Sequence, residues 1–269
     1  HLDGVVLTHG HQDHIGALPF FLKEVDVPVY SGSLTLAMVE GQLKEHGLHN
    51  EVDLFPISTE ELLEIGPFQV EFVHVNHSVP NARAVSLDTP EGRFVFTGDW
   101  KLDQMPLYEP VMDMHTFAEF GRDGVTALFG DSTNSQSEGF STSEYEVYRN
   151  IDKVMDDAPG RVIIAQFSSN LHRLDNIFDL ARRHGRKVLL MGRSIRTNFG
   201  IAVEHGFIDE SADSQTIKPH QLNNLADEDV LIVSTGSQAE PRASLTRMAY
   251  GDHHHVTLDE DDTVIISAR

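Results

Sequence analysis

The apolar and polar positions of this chain follow two different rhythms. In the first half, apolar residues come as short runs and alternations between turn formers. Residues 5–8 read as a buried strand, and residues 68–75, 82–88 and 93–97 as further strands, the last two joined through Pro90-Glu91-Gly92. Between them the pattern predicts a loop over residues 9–14, a helix over 15–25, and a second helix from Ser33, as N-cap, to about Glu45. In the second half, an apolar strand at 125–129 and a helix at 143–155 lead into a recurring unit of strand, short polar loop and helix. Residues 162–167 run through Ser168-Ser169-Asn170 into a helix at 171–184. Residues 187–191 run through Gly192-Arg193-Ser194 into one at 195–205, and 230–234 through Thr235-Gly236-Ser237-Gln238 into one at 241–248. Residues 263–267 are a last strand. Strands alternating with helices in this way predict a parallel sheet. The Ser- and Thr-rich stretch 131–142 marks a domain boundary, giving domains at 1–130 and 131–269.

Composition narrows the chemistry. The chain has 269 residues, 40% of them hydrophobic, enough for the cores of one or two domains. No apolar run is long enough to span a membrane and no signal peptide is visible, so a cytoplasmic protein is expected. There is no cysteine, which excludes disulfides and thiolate ligands, whereas there are 16 His. The formal charge of −22, with only six Lys, counts against a generic nucleic-acid binder with a broad basic face. The chain opens directly on a strand and closes directly after one, so it reads as an internal piece of a longer protein.

The densest signal is Thr8-His9-Gly10-His11-Gln12-Asp13-His14. Two imidazoles one residue apart can reach one metal from a tight loop at a strand end, while Asp13 and His14 face a second. Nitrogen and carboxylate ligands suit Zn²⁺, with Mn²⁺ or Mg²⁺ as alternatives. Two such ions need more ligands than this loop offers. His77 and Asp99, each just past a strand, are the candidates, and a carboxylate at 99 can bridge both ions. The run His253-His254-His255 has only acids around it and reads as a solvated loop.

The three loops of the second half share another logic. Ligands of a parallel sheet bind beyond the carboxyl ends of its strands. Each loop opens a helix whose free N–H groups favour an anion. Ser169, Asn170, Arg193, Ser194, Gly236 and Ser237 thus form a candidate phosphate pocket, with Arg193 as a charged fork. The alternative is that Ser and Asn there are ordinary helix caps.

The order H-x-H-x-D-H, then His77-Ser78-Val79-Pro80, then Thr97-Gly98-Asp99-Trp100-Lys101, resembles the metallo-β-lactamase superfamily. The flanking segments Gly130-Asp131-Ser132-Thr133-Asn134, Phe167-Ser168-Ser169-Asn170-Leu171-His172-Arg173 and Thr235-Gly236-Ser237-Gln238-Ala239-Glu240-Pro241 resemble the ribonuclease J family within it. The resemblance implies an α/β fold: a partial αββα metallo-β-lactamase sandwich with an inserted β-CASP domain. It implies that His9, His11 and His77 hold one zinc, that Asp13 and His14 hold the other, and that Asp99 bridges. Asp131 falls where β-CASP enzymes carry an acidic catalytic residue, and Asp13 joins it in the catalytic set. The implied activity is exonucleolytic from the 5′ end, endonucleolytic, or both, through a hydroxide activated between two metals. RNA with a 5′-monophosphate end is the implied substrate of the phosphate pocket, and a homo-oligomer and an RNA-degradation complex are the implied assemblies. The family's downstream catalytic and zinc-binding His have no counterpart in this chain. Asn81, where the family usually has Asp, is expected to loosen the orientation of His77. The alternatives are a non-catalytic metal-binding scaffold and a thioester or lactam hydrolase on the same metal core.

Overall fold

The computed structural model describes residues 2–268. They divide into two compact units, His1–Ser143 and Glu144–Arg269.

The first unit holds two sheets. Strands β1 (Val5–Val6), β2 (Val29–Ser31) and β3 (Leu54–Pro56) form a parallel sheet in that order. Strands β4 (Leu62–Ile65), β5 (Phe68–His74), β6 (Arg83–Thr89), β7 (Gly92–Phe96) and β8 (Ala127–Phe129) form the other. It is antiparallel as far as β7, and β8 then joins in parallel. Because strand side chains alternate between faces, β5 sends Val70 and Phe72 one way and Val73 the other. Val70 and Phe72, with Val85 and Ile65, pack on Val6 and Tyr30 of the small sheet. Val73, with Ala84 and Val95, packs on Phe117 and Phe120 of α4 (Met114–Asp123). Helix α3 (Ser33–His46) packs on β2 and β3. The order of layers is therefore helix, sheet, sheet, helix, the αββα arrangement.

The second unit is a parallel sheet with helices. Its strands are β9 (Val162–Gln166), β10 (Lys187–Met191), β11 (Val230–Ser234) and β12 (Thr263–Ser267), in spatial order β10-β11-β9-β12. Helices α5 (Glu144–Asp156), α6 (Leu171–Arg183), α7 (Arg193–Glu204) and α8 (Ser244–Ala249) accompany it. Every residue of β9 and β11 is buried, as a sheet covered on both faces requires. Ile163, Ala165 and Ile232 pack on Leu245 and Met248 of α8.

Three local expectations fail. The helix expected at 15–25 is two short ones, α1 (Gln12–Ile15) and α2 (Leu18–Leu22). The first ends at Gly16, and Pro19, which has no N–H to give, sits in the first turn of the second. Ser33 does not cap α3. Gly32 is the N-cap, and a Cβ there would strike the Asn81 side chain. Helix α8 begins at Ser244, not 241, after the turns of the 235–243 loop.

Candidate metal centre

The site grows from the carboxyl ends of β1, β5 and β7. After β1 the chain turns through His9 and His11 into α1, with His11 as its N-cap, Asp13 in its first turn and His14 in its last. After β5 it delivers His77, and after β7 it delivers Asp99. Two main-chain links hold these segments side by side. The Arg83 N–H donates to the Thr8 carbonyl at 3.0 Å, and the Lys101 N–H donates to the Asn76 carbonyl at 2.9 Å. Gly98 makes the turn before Asp99. Its φ is +59°, and a Cβ there would lie 2.9 Å from the Thr8 Cβ.

Three imidazole nitrogens converge. His11 Nδ1 lies 3.2 Å from His9 Nε2 and 2.9 Å from His77 Nε2. One proton cannot satisfy three lone pairs facing one another. In the tautomers that leave those lone pairs inward, His9 Nδ1–H donates to Thr8 Oγ1 at 3.0 Å and His11 Nε2–H to Ser78 Oγ at 3.2 Å. Two ligands at ~2.0–2.1 Å from a tetrahedral ion stand about 3.4 Å apart, so the spacing is close to that of a metal's coordination edge. Asp99 spans two groupings. Its Oδ2 lies 3.7 Å from His9 Nε2 and 3.8 Å from His77 Nε2, while its Oδ1 lies 3.5 Å from His14 Nε2. Asp13 Oδ2 is 3.6 Å from His14 Nε2. Two candidate ligand sets result, His9-His11-His77-Asp99 and Asp13-His14-Asp99, sharing Asp99. The donor set fits divalent metal ions.

Electrostatics point the same way. Burial, reinforced by the neighbouring imidazoles, pushes His9 down to about 2 and His77 down to about 3, and burial also lowers His11. All three are neutral at physiological pH, the state in which imidazole binds metal. The first set is enclosed, with His9 fully buried, whereas Asp13 and His14 are exposed.

Asp131 sits beyond β8 in the same unit and interacts electrostatically with His77. Burial raises its pKa, but hydrogen bonds from the Thr133 hydroxyl (2.6 Å) and N–H (2.7 Å) more than offset this, so the carboxylate is held ionised. Asn81 has no hydrogen bond to His77. Its N–H donates to Glu109 at 2.7 Å, its φ is +66°, and its side-chain oxygen is buried against Gly32. The sequence reading missed Thr8 and Ser78, which orient His9 and His11. Their positions directly beside the ligand-bearing residues were the available signal.

In the second unit, the loops after β9, β10 and β11 lie at one end of the sheet. Asn170 is buried and caps α6, accepting from the Arg173 N–H at 3.1 Å, so its side chain has a structural task. Gly236 is buried, and Ser169 and Ser237 are partly buried. Arg193 and Ser194 are exposed at the start of α7. Of the other segments singled out in the sequence, Arg173 is not a surface group. It is buried, bonded to Glu144 at 2.9 Å and to Ser267 Oγ at 3.0 Å.

An αββα sandwich with a His/Asp cluster at its strand ends defines a class. Residues 1–136 match the metallo-beta-lactamase superfamily model, and the chain belongs to that superfamily. Residues 159–269 match the model of the ribonuclease J beta-CASP domain, so the chain is of the ribonuclease J, β-CASP kind. It is 40% identical over 264 residues to Ribonuclease J 1 of Streptococcus pyogenes, covering 98% of this chain and 47% of that protein. It is 38% identical over 270 residues to Ribonuclease J of Thermus thermophilus, covering 98% of this chain and 47% of that protein. The chain thus spans less than half the length of these relatives. A crystal structure of a protein of unknown function from Enterococcus faecalis shares the fold, with a TM-score of 0.63 at 16% identity, over 97% of this chain and 70% of that one. Among the described residues no helix is long and apolar enough to cross a membrane.

Proposed function

We propose that this chain carries the metal centre and the β-CASP part of a ribonuclease that hydrolyses RNA phosphodiester bonds, exonucleolytically from a 5′-monophosphate end, endonucleolytically, or both. Zinc is the preferred ion, given imidazole and carboxylate donors without thiolate. His9, His11, His77 and Asp99 hold the enclosed ion, and Asp13, His14 and Asp99 the open one. When bound, the ions supply Lewis acidity to a phosphate and lower the pKa of water. The chain's own groups do the rest. Burial keeps three imidazoles neutral and ready, Thr8 and Ser78 fix two of the rings, and ionised Asp131 accepts or orients a proton beside His77. Exposed Arg193 and Ser194 grip a phosphate at the entrance to α7.

The convergence of three imidazole nitrogens and one carboxylate on a common point carries this reading. It is tested by loading metal-stripped protein with Zn²⁺ or Mn²⁺ and measuring bound metal beside turnover of RNA and of a thioester. Two ions per chain are expected, and metal-dependent cleavage of RNA is expected of the full-length protein. Metal-dependent thioester cleavage without RNA cleavage overturns the substrate, and failure to bind metal overturns the site.

A further inference from the structure

A cavity of about 540 Å³ opens beside β10 in the second unit, lined by residues that neither the metal centre nor the three loops use. Its ionisable lining consists of Arg196, Lys218, His220 and His255, and no carboxylate lines it. In a chain of net charge −22, an acid-free pocket with two permanent cations is an unusual place. Arg196 and Lys218 are exposed and have no ion-pair partner among the described residues. Nothing internal explains their pairing, and a ligand with negative charge satisfies both.

The remaining walls are apolar. Phe199 and Ile217 line the space, and Pro219 stiffens the 218–220 stretch of its lining. The volume falls in the range of small-ligand sites, which combine apolar walls with a few placed polar groups. The polar groups for a ring system come from the main chain. β10 is an edge strand, and the Ile217 N–H donates to the Val188 carbonyl at 2.9 Å. Beyond this contact the Thr216–Lys218 segment makes no further pairing with β10. Amide groups alternate sides along a strand, so Leu190, two residues on, presents its N–H and C=O to the same outer edge. Leu190 lines the cavity. An adjacent donor and acceptor, apolar walls and two cations in the lining together match the base, the ring faces and the phosphate of a nucleotide.

We infer that this cavity binds a nucleoside monophosphate unit, its base against Phe199 and Ile217 and the Leu190 main chain, and its phosphate between Arg196 and Lys218. The unit is either a free nucleotide or one residue of an RNA strand. The inference stands apart from the metal centre, since binding is read in metal-free protein where no cleavage occurs.

The experiment is calorimetric titration of the whole chain, in chelator, with AMP, UMP, adenosine, inorganic phosphate and a short single-stranded RNA. In the Arg193→Ala background, which removes the phosphate grip proposed at the entrance to α7, one AMP or UMP per chain is expected, with adenosine and phosphate each binding at least tenfold more weakly. The variant Arg196→Gln/Lys218→Gln is expected to weaken nucleotide binding at least tenfold with an unchanged melting temperature, because both side chains are exposed and unpaired. RNA binding more tightly than the mononucleotide assigns the site to a strand, and weaker RNA binding assigns it to free nucleotide. No saturable nucleotide binding at ~1 mM, phosphate binding as well as the nucleotide, or an indifferent double variant each overturns the inference.

Discussion

Burial and three neighbouring rings keep His9 neutral, and this has a sign. In the unfolded chain His9 and His77 take up protons near 6.5, whereas in the fold they do so only at about 2 and 3. Below pH 6.5 the unfolded state binds more protons, so the stability these residues contribute is complete above that pH and drains away as pH falls toward 3. Metal-stripped protein should lose stability between pH 7 and pH 5, by up to about 1.4 kcal/mol per pH unit for each residue. Urea melts in chelator measure this. A flat profile refutes the neutral cluster. Asp99 makes the opposite kind of prediction. Among the described residues it lies against imidazoles and accepts from no main-chain donor, so Asp99→Ala should leave the metal-free melting temperature within a degree or two. Metal affinity should fall by at least about 100-fold, since a ligand shared by both sets is lost. Retention of two ions by the variant contradicts the bridging position. These residues were legible in the sequence because H-x-H-x-D-H is dense and because His77 and Asp99 follow strands. Thr8 and Ser78 were passed over, since a hydroxyl that orients a ring leaves no pattern of its own and only its place beside a ligand marks it.

At the scale of elements, what the sequence revealed depended on burial. β9, β10 and β11 were legible to within a residue because a strand covered on both faces reads as a nearly continuous apolar run, four of five residues in each. β2, β3 and β4 have three or four residues each, too few to set up an alternation. Helix α4 escaped because it buries a single residue, Phe120. The pair α1 and α2 was read as one helix because Ile15, Leu18 and Leu22 keep a helical spacing straight across the break at Gly16. Side-chain ties between elements were not legible at all. Arg173 bonds Glu144 at the start of α5 and Ser267 at the end of β12, so one buried guanidinium braces three elements. Removing it strands a buried carboxylate. Arg173→Ala should therefore cost about 3–5 kcal/mol, and Arg173→Met with Glu144→Leu should recover much of the loss. Chemical denaturation of the three proteins decides, and a mild single-variant effect would mean that Glu144 rehydrates.

For the whole molecule, charge sets the terms on which RNA can approach. At −22, attraction is confined to local cations such as exposed Arg193, and few phosphates can be neutralised. With about two contacts, RNA affinity should fall less than tenfold between 50 and 200 mM salt, against 10³-fold or more for proteins with broad basic faces. A steep salt dependence would contradict this. Arg193→Ala should reduce a preference for 5′-monophosphate over 5′-hydroxyl RNA by ~1.5–3 kcal/mol, the value of a hydrogen bond to a charged group, with metal content unchanged. Competition between the two RNA ends measures it.

The order of strands in the second sheet also governs how it comes into being. β9 is the first of its strands to leave the ribosome, yet its two neighbours, β11 and β12, are the last. Until they arrive, β9 has neither ladder partner and Arg173 has no Ser267 to bind. Such long-range pairings are slow to close. A nascent chain halted before β12 would expose a strand that is apolar at four of its five positions along one edge, which is a template for unwanted pairing with other chains. The first unit, whose strands β4 to β7 pair with their immediate successors, has no such wait.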